Sequence, residues 1–183
     1  MAEADRAVRV TVDAAAYLAA QREHLGSRQL CLACQGVDGI QYGEAVAGVL
    51  EHARPGDWIG LGGWCILGLH KSWIPTFWQA ARRCLPMIAR AGITRAHIFG
   101  VLYPPVLGGL LWLCDQHGLT LSTDSSGPVL QVLWKDRVKA GAYHATWEAN
   151  AEHWVVTLAN LRTSPHYVEP PDVVPMRQRT LFV

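Results

Sequence analysis

A chain of 183 residues, half of them hydrophobic and 17% charged, carries enough apolar material for one buried core. That composition excludes intrinsic disorder, which needs low hydrophobicity and high net charge. Sixteen Lys and Arg against fifteen Asp and Glu leave a net charge of +1, which excludes holding nucleic acid by bulk electrostatics alone and leaves local basic patches open.

The most apolar stretch, 98–114, is broken by Pro104-Pro105 and Gly108-Gly109 and falls short of the ~20-residue run a membrane span needs. The first ten residues, MAEADRAVRV, have two acidic groups and no apolar block, so no signal peptide is expected there. Five cysteines, at 31, 34, 65, 84 and 114, are an odd set that fits reduced thiols in the cytoplasm better than a disulfide framework.

In chain order, residues 13–25 carry Ala, Tyr and Leu at helical spacing, with Asp13 as the expected N-cap. After Gly26-Ser27, the run Gln29 to Cys34 reads as a buried strand. Residues 41–53 form a helix with Ala45, Val46, Val49 and Leu50 on one face, and Trp58 to Leu61 is a strand after Pro55-Gly56-Asp57. A helix over 75–91 starts at Pro75 and stops at Gly92. The strand Ala96 to Gly100 follows, then a helix over 104–117 ending before Gly118, then the strand Leu119 to Ser122. A last helix is expected over 143–161. Residues 1–162 are thus one domain, and 163–183, with prolines at 165, 170, 171 and 175, are an extended surface tail.

Strands and helices in alternation predict an α/β fold of parallel βα units, with an open doubly wound sheet as one arrangement. Function in such folds sits at the carboxyl ends of the strands. There the sequence places Gln35-Gly36, Gly62-Gly63-Trp64-Cys65, Gly100-Val101 and Asp124-Ser125-Ser126-Gly127. Glycines let a flat ligand approach the backbone, and Gln35 offers the donor and acceptor that a heterocycle edge requires. Asp124 is the one acidic residue at a strand end.

These four strand ends, in this order, resemble the C-terminal half of the tRNA-guanine transglycosylases, over about residues 30–130. The wording GDWIGLGGWCILG, HIFGVLYPP and STDSSGP is closest to the DpdA-like branch, which acts on DNA in 7-deazaguanine modification systems. The resemblance implies a partial, half TIM barrel and a base exchange that replaces guanine in DNA by a 7-deazaguanine. Asp124 would be the catalytic nucleophile, forming a covalent glycosyl ester as retaining glycosidases do. Gln35, Gly62, Gly63, Gly100 and Ser125 would contact the exchanging base, and Trp64 or Tyr103 would stack on a base flipped out of the duplex. Lys135, Arg137 and Lys139 are the candidate phosphate clamp; their plainer reading is a solvated loop. No cofactor and no metal is implied. The zinc-binding cysteines that follow the nucleophile in the tRNA enzymes have no counterpart after Asp124.

The family's second, proton-transferring carboxylate and its stacking aromatic lie in the N-terminal half of the barrel and are also without counterpart. A complete (β/α)8 barrel takes about 250 residues. The expected partners are therefore DNA, a 7-deazaguanine base, and a second copy or complementary half that covers two unpaired sheet edges and an apolar inner face. A non-catalytic nucleic-acid-binding or assembly subunit, or a truncated remnant, is the alternative.

Each residue also has a plain structural reading. Asp124 fits an Asx-turn, Gly62-Gly63 tight packing, and Gln35 a strand cap. Cys31 and Cys34, if in a strand, point to opposite faces and read as buried structural thiols, and Cys65 as packing. His97 reads as a core or barrel-lining residue. His70 could reach a phosphate or pack, and Arg82-Arg83 is expected to face solvent away from the site.

Overall fold

A computed structural model describes residues 2–64, 71–124 and 155–172. Helix α1 (Ala2–Ala20) and the short α2 (Arg22–Leu25) lead into β1 (Cys31–Cys34). Three crossover helices follow: α3 (Gly39–Leu50) to β2 (Trp58–Leu61), α4 (Ile74–Arg90) to β3 (Arg95–Ile98), and α5 (Pro104–Gln116) to β4 (Thr120–Thr123). The four strands form one parallel sheet in the order β1-β2-β3-β4. Among the described strands that order never reverses, so they contain no switch point of the kind that defines a doubly wound sheet.

Side-chain alternation divides the sheet into two unlike faces. Leu32, Cys34, Ile59, Leu61, Ala96 and Ile98 point one way and are completely buried. They share a single core with Val46 and Val49 of α3, Phe77, Leu85 and Ile88 of α4, and Leu107 and Leu110 of α5. On the other face Cys31, Ala33 and Thr120 are exposed and Trp58, His97 and Ser122 half-buried. The inner face expected to be apolar is therefore mixed, with Cys31, Ala33, Trp58 and Gly60 on β1 and β2 and Arg95, His97, Thr120 and Ser122 on β3 and β4. Gly60 is buried there, because the ring of Phe99 lies against it, and so is Gly62 just beyond the end of β2.

Most element boundaries follow the sequence signals. Pro75 and Pro104 stand in the first turns of α4 and α5. Gly92 and Gly118 end those helices at φ +76° and +65°, values that L side chains rarely adopt. Helix α1 is the correction. It starts at Ala2, and Asp13 lies in its interior. The residues before Asp13 extend the same stripe, since Val8 and Val12 pack on the core with Ala15.

Two anchors gave no sequence signal. Buried Asp57, in the turn before β2, accepts from Arg22 Nη1 at 3.0 Å and from the backbone N–H groups of Leu30 (3.2 Å) and Arg54 (2.8 Å). It thereby joins α2 to the starts of β1 and β2. The second anchor holds the C-terminal segment. Arg82 donates to the carbonyl of Pro170 and pairs with Glu169 (3.7 Å) and Asp172 (3.4 Å), so it binds the tail instead of facing solvent. Arg162 forms a two-point pair with Asp115 of α5, both contacts 2.9 Å, and Tyr167 Oη donates to the same carboxylate. Pro170 is buried although its neighbours are exposed, so the described tail is a docked strap. Of the helix expected over 143–161, only 155–159 is described as helical, followed by a 3-10 turn at Leu161–Thr163.

Candidate functional site

The site is built by register. Ala33, Gly60, His97 and Ser122 are paired in one row across the sheet. Two residues further along each strand, on the same open face, come Gln35, Gly62, Phe99 and Asp124. Parity thus carries Gln35, Gly62 and Asp124 to one end of one face, as the sequence order required. It also adds Phe99 and His97 to the group.

The two glycines make room for a ring. A Cβ on Gly60 would lie 2.5 Å from Phe99 Cε2 and 3.3 Å from Cys31 Sγ. A Cβ on Gly62 would lie 3.5 Å from both Phe99 Cδ2 and the side-chain nitrogen of Gln35. Phe99 therefore lies across both glycines with the Gln35 amide beside it. The sequence signal for this was available: two side-chain-free positions on β2 oppose an aromatic of the same parity after β3.

Asp124 ends β4 with its side chain 60% exposed. One carboxylate oxygen accepts the backbone N–H of Gly100 at 2.7 Å and stands 3.7 Å from Nε2 of His97. His97 Nδ1 lies 2.7 Å from the Ser122 hydroxyl, and the imidazole meets the Phe99 ring edge-on at 4.3 Å between centroids. On the opposite face, the single O–H of Thr123 lies within donating distance of the carbonyls of Ile98 (2.8 Å) and Val101 (2.6 Å), beside the loop that presents the Gly100 N–H. Burial pushes the Cys31 thiol above its ordinary pKa, and the negative charge of Asp124 adds to the effect.

Several expected ligand contacts serve the fold instead. Gly100 gives its N–H to Asp124. Gly62 donates its N–H to the Cys34 carbonyl at 2.9 Å and accepts from Tyr42 Oη, so its own polar groups are engaged. Gly63 has φ +95°, and a Cβ there would sit 3.1 Å from the Tyr42 hydroxyl. Trp64 is only 4% exposed and stacks on Tyr42 at 4.8 Å and 15°, with Phe77 at its edge. Its ring belongs to the core, where aromatic burial outweighs any outward display, and is not presented for stacking on a base. Tyr103 is half-buried at the start of α5. Cys31 and Cys34 do point to opposite faces, but Cys31 is exposed rather than buried: Val10, Ala14 and Leu18 of α1 line an open cleft beside it, with Ala33 and Gln35, and do not cover it. Ser125, Lys135, Arg137, Lys139, Cys65 and His70 lie outside the described residues.

At the amino end of the same face, the Arg95 guanidinium lies 5.5 Å from the centre of the Trp58 ring. It also donates to the Gln29 side chain and to the Gly56 carbonyl, 3.2 Å away in the latter case. That end thus carries a cation–π pair whose guanidinium is also hydrogen-bonded to the turn before β2. The carboxyl end is left as the polar mouth of the sheet.

Among the described residues no three His, Cys, Asp or Glu side chains gather as a metal site, and no helix is long and apolar enough to cross a membrane. Comparison with family models, with curated proteins and with solved structures finds no match to this chain.

Proposed function

We propose that this chain is the nucleophile-bearing half of a base-exchange enzyme that replaces guanine in DNA by a 7-deazaguanine such as 7-cyano-7-deazaguanine. The observation that carries the reading is the convergence of an exposed Asp124 carboxylate, a Gln35 amide and the Phe99 ring, laid over Gly60 and Gly62, on one end of one face. Gln35 would read the edge of the base while the ring of Phe99, seated over the glycines, receives its plane. The Gly63 backbone takes the hydrogen-bonding part for which Gly62 has no free N–H. Asp124 Oδ attacks the anomeric carbon as the bond to guanine N9 breaks, and the resulting ester is opened by N9 of the incoming base.

The sheet is read as half of a TIM-type barrel. Its sequential order and the concentration of helices on the buried side support this. In the described sheet β1 and β4 each pair on one side only. Beside β1, α1 exposes Val10, Tyr17 and Leu18. A second copy or a complementary half joining at these edges completes the barrel. Free Cys31, Cys34, Cys84 and Cys114 support a cytoplasmic setting.

The test is trapping of a covalent protein–DNA adduct on guanine-containing duplex, with the complementary half added where one is encoded nearby. An adduct from the wild type that disappears in Asp124→Ala supports the assignment. An adduct that survives this substitution, or none under any reconstitution, removes it. Salt-dependent DNA binding without exchange then leaves the chain as a binding or assembly subunit.

A further inference from the structure

From the Ser122–His97–Asp124 geometry we infer that His97 is the proton carrier of this site, supplying from within the chain the acid–base group that base exchange needs beside its nucleophile. The inference rests on the base-exchange reading for its chemistry, but the ring's hydrogen bonding stands apart from it. His97 Nε2 is 3.7 Å from the Asp124 carboxylate, and Nδ1 is 2.7 Å from Ser122 Oγ. A carboxylate facing Nε2 favours hydrogen on that nitrogen, and the Ser122 hydroxyl then donates to Nδ1. When the ring gains its second proton, Nδ1–H donates to the same hydroxyl, which can accept as well as donate. The imidazole is thus held in one orientation in both protonation states, with Phe99 against its ring.

The other charged or titratable described groups on this face are Arg95, two residues earlier on β3 and turned to Gln29 and Gly56, and Cys31 on β1. Arg95 is occupied at the far end. Partial desolvation and then the Asp124 charge raise the pKa of the Cys31 thiol.

The step balances. As the carboxylate oxygen forms its bond to C1′, the C1′–N9 electron pair leaves with guanine, and the imidazolium gives its proton to the departing base. The incoming 7-deazaguanine loses its N9 proton to the now neutral imidazole while its nitrogen pair attacks C1′. The ester bond pair returns to Asp124, and the histidine ends as it began.

Two measurements on the full chain test this. In the first, long-range 15N–1H correlation of the histidine rings reads the tautomer. Hydrogen on Nε2 in the neutral wild-type ring, lost to a tautomer mixture in Ser122→Ala, is the expected result. A neutral ring with its hydrogen on Nδ1 overturns the inference. The second measures exchange of labelled guanine in duplex DNA for 7-cyano-7-deazaguanine across pH, in wild type and His97→Gln. A loss of about 10²- to 10⁴-fold, with disappearance of one limb of the pH profile, is expected of a lost acid–base group. An unchanged profile in His97→Gln overturns the proton-carrier role, with Ser122→Ala as the milder variant if His97→Gln does not fold. A wild type without exchange under any reconstitution with a complementary half, but with the Nε2–H tautomer, removes the base-exchange reading and, with it, the catalytic use of a proton that His97 nonetheless holds.

Discussion

The hydroxyl of Tyr42 donates to the carbonyl of Gly62, tying the helix after β1 to the glycine pair that ends β2. The phenol is buried, its pKa is raised by that burial, and its ring is stacked on Trp64. One side chain therefore fixes both the floor of the candidate slot and the aromatic core behind it. Tyr42→Phe keeps the stack and removes the bond, so chemical denaturation should show a loss of about 1 kcal/mol. Loosening should be confined to Gly62-Gly63 in hydrogen exchange. Equal protection in both proteins would deny the tie.

Gly60→Ala asks whether the slot is used. The new methyl meets Phe99 at a distance no side chain tolerates, and the ring must swing out over the space where a base is proposed to lie. Affinity for 7-cyano-7-deazaguanine, measured by calorimetry, should fall about 10- to 200-fold, the usual effect of a misplaced carbon in a tight pocket. Unchanged affinity would place the base elsewhere.

Asp57 is buried and Arg22 half-buried, and removing the carboxylate leaves the guanidinium with the His52 carbonyl, and the N–H groups of Leu30 and Arg54 without their acceptor. Asp57→Ala should cost about 1–3 kcal/mol in denaturant unfolding. Acid should act on the same contact. Burial alone would raise the Asp57 carboxyl, but the Arg22 guanidinium and the N–H groups of Arg54 and Leu30 hold it below its ordinary value. Asp115 is likewise lowered, by Arg162 first and then by Tyr167. For carboxyls depressed in the folded state, the stabilisation is complete above the unfolded pKa of about 4 and is lost as pH falls through the lower folded values. The unfolding midpoint should therefore be flat from pH 5 to 7 as far as these groups decide it, then drop on acidification. The drop should be smaller in Asp57→Asn.

Gly108 faces the backbone of His166, and a Cβ there would overlap it. Gly108→Ala should destabilise by about 1–3 kcal/mol, as overpacking does, and free residues 161–172 to proteolysis and hydrogen exchange while the sheet stays protected. Arg82→Ala should loosen the same segment without the steric clash. If neither variant changes protection of 161–172, the strap contributes nothing measurable.

The strands were legible because runs such as Trp58-Ile59-Gly60-Leu61 are bounded by turn residues, and α4 and α5 because a proline opens and a glycine closes each. Parity made the opposite faces of Cys31 and Cys34 readable in advance. The start of α1 was not, since Asp13 looks like a cap locally and only the packing of Val8 and Val12 overrides it. The Arg22–Asp57 and Arg82–Pro170 anchors join residues 35 and 88 positions apart, a separation that no local pattern encodes. At the site, residue identity at each strand end was readable, but the use of each group was not. Whether Gly62 offers its N–H to a ligand depends on Cys34 already holding it, and Trp64 reads as an outward aromatic until Tyr42 is seen stacked on it.

The Arg95–Trp58 pair bears on the order of events. In a completed barrel it would stop the amino end, and the strand ends near Asp124 would be the single doorway. A departing base and its replacement must then use that doorway in turn. The first product would leave before the second substrate enters, so initial-rate plots at varied concentrations of both should give parallel lines. Widening the blocked end, as in Trp58→Ala, would open a second route and let the two bases pass independently.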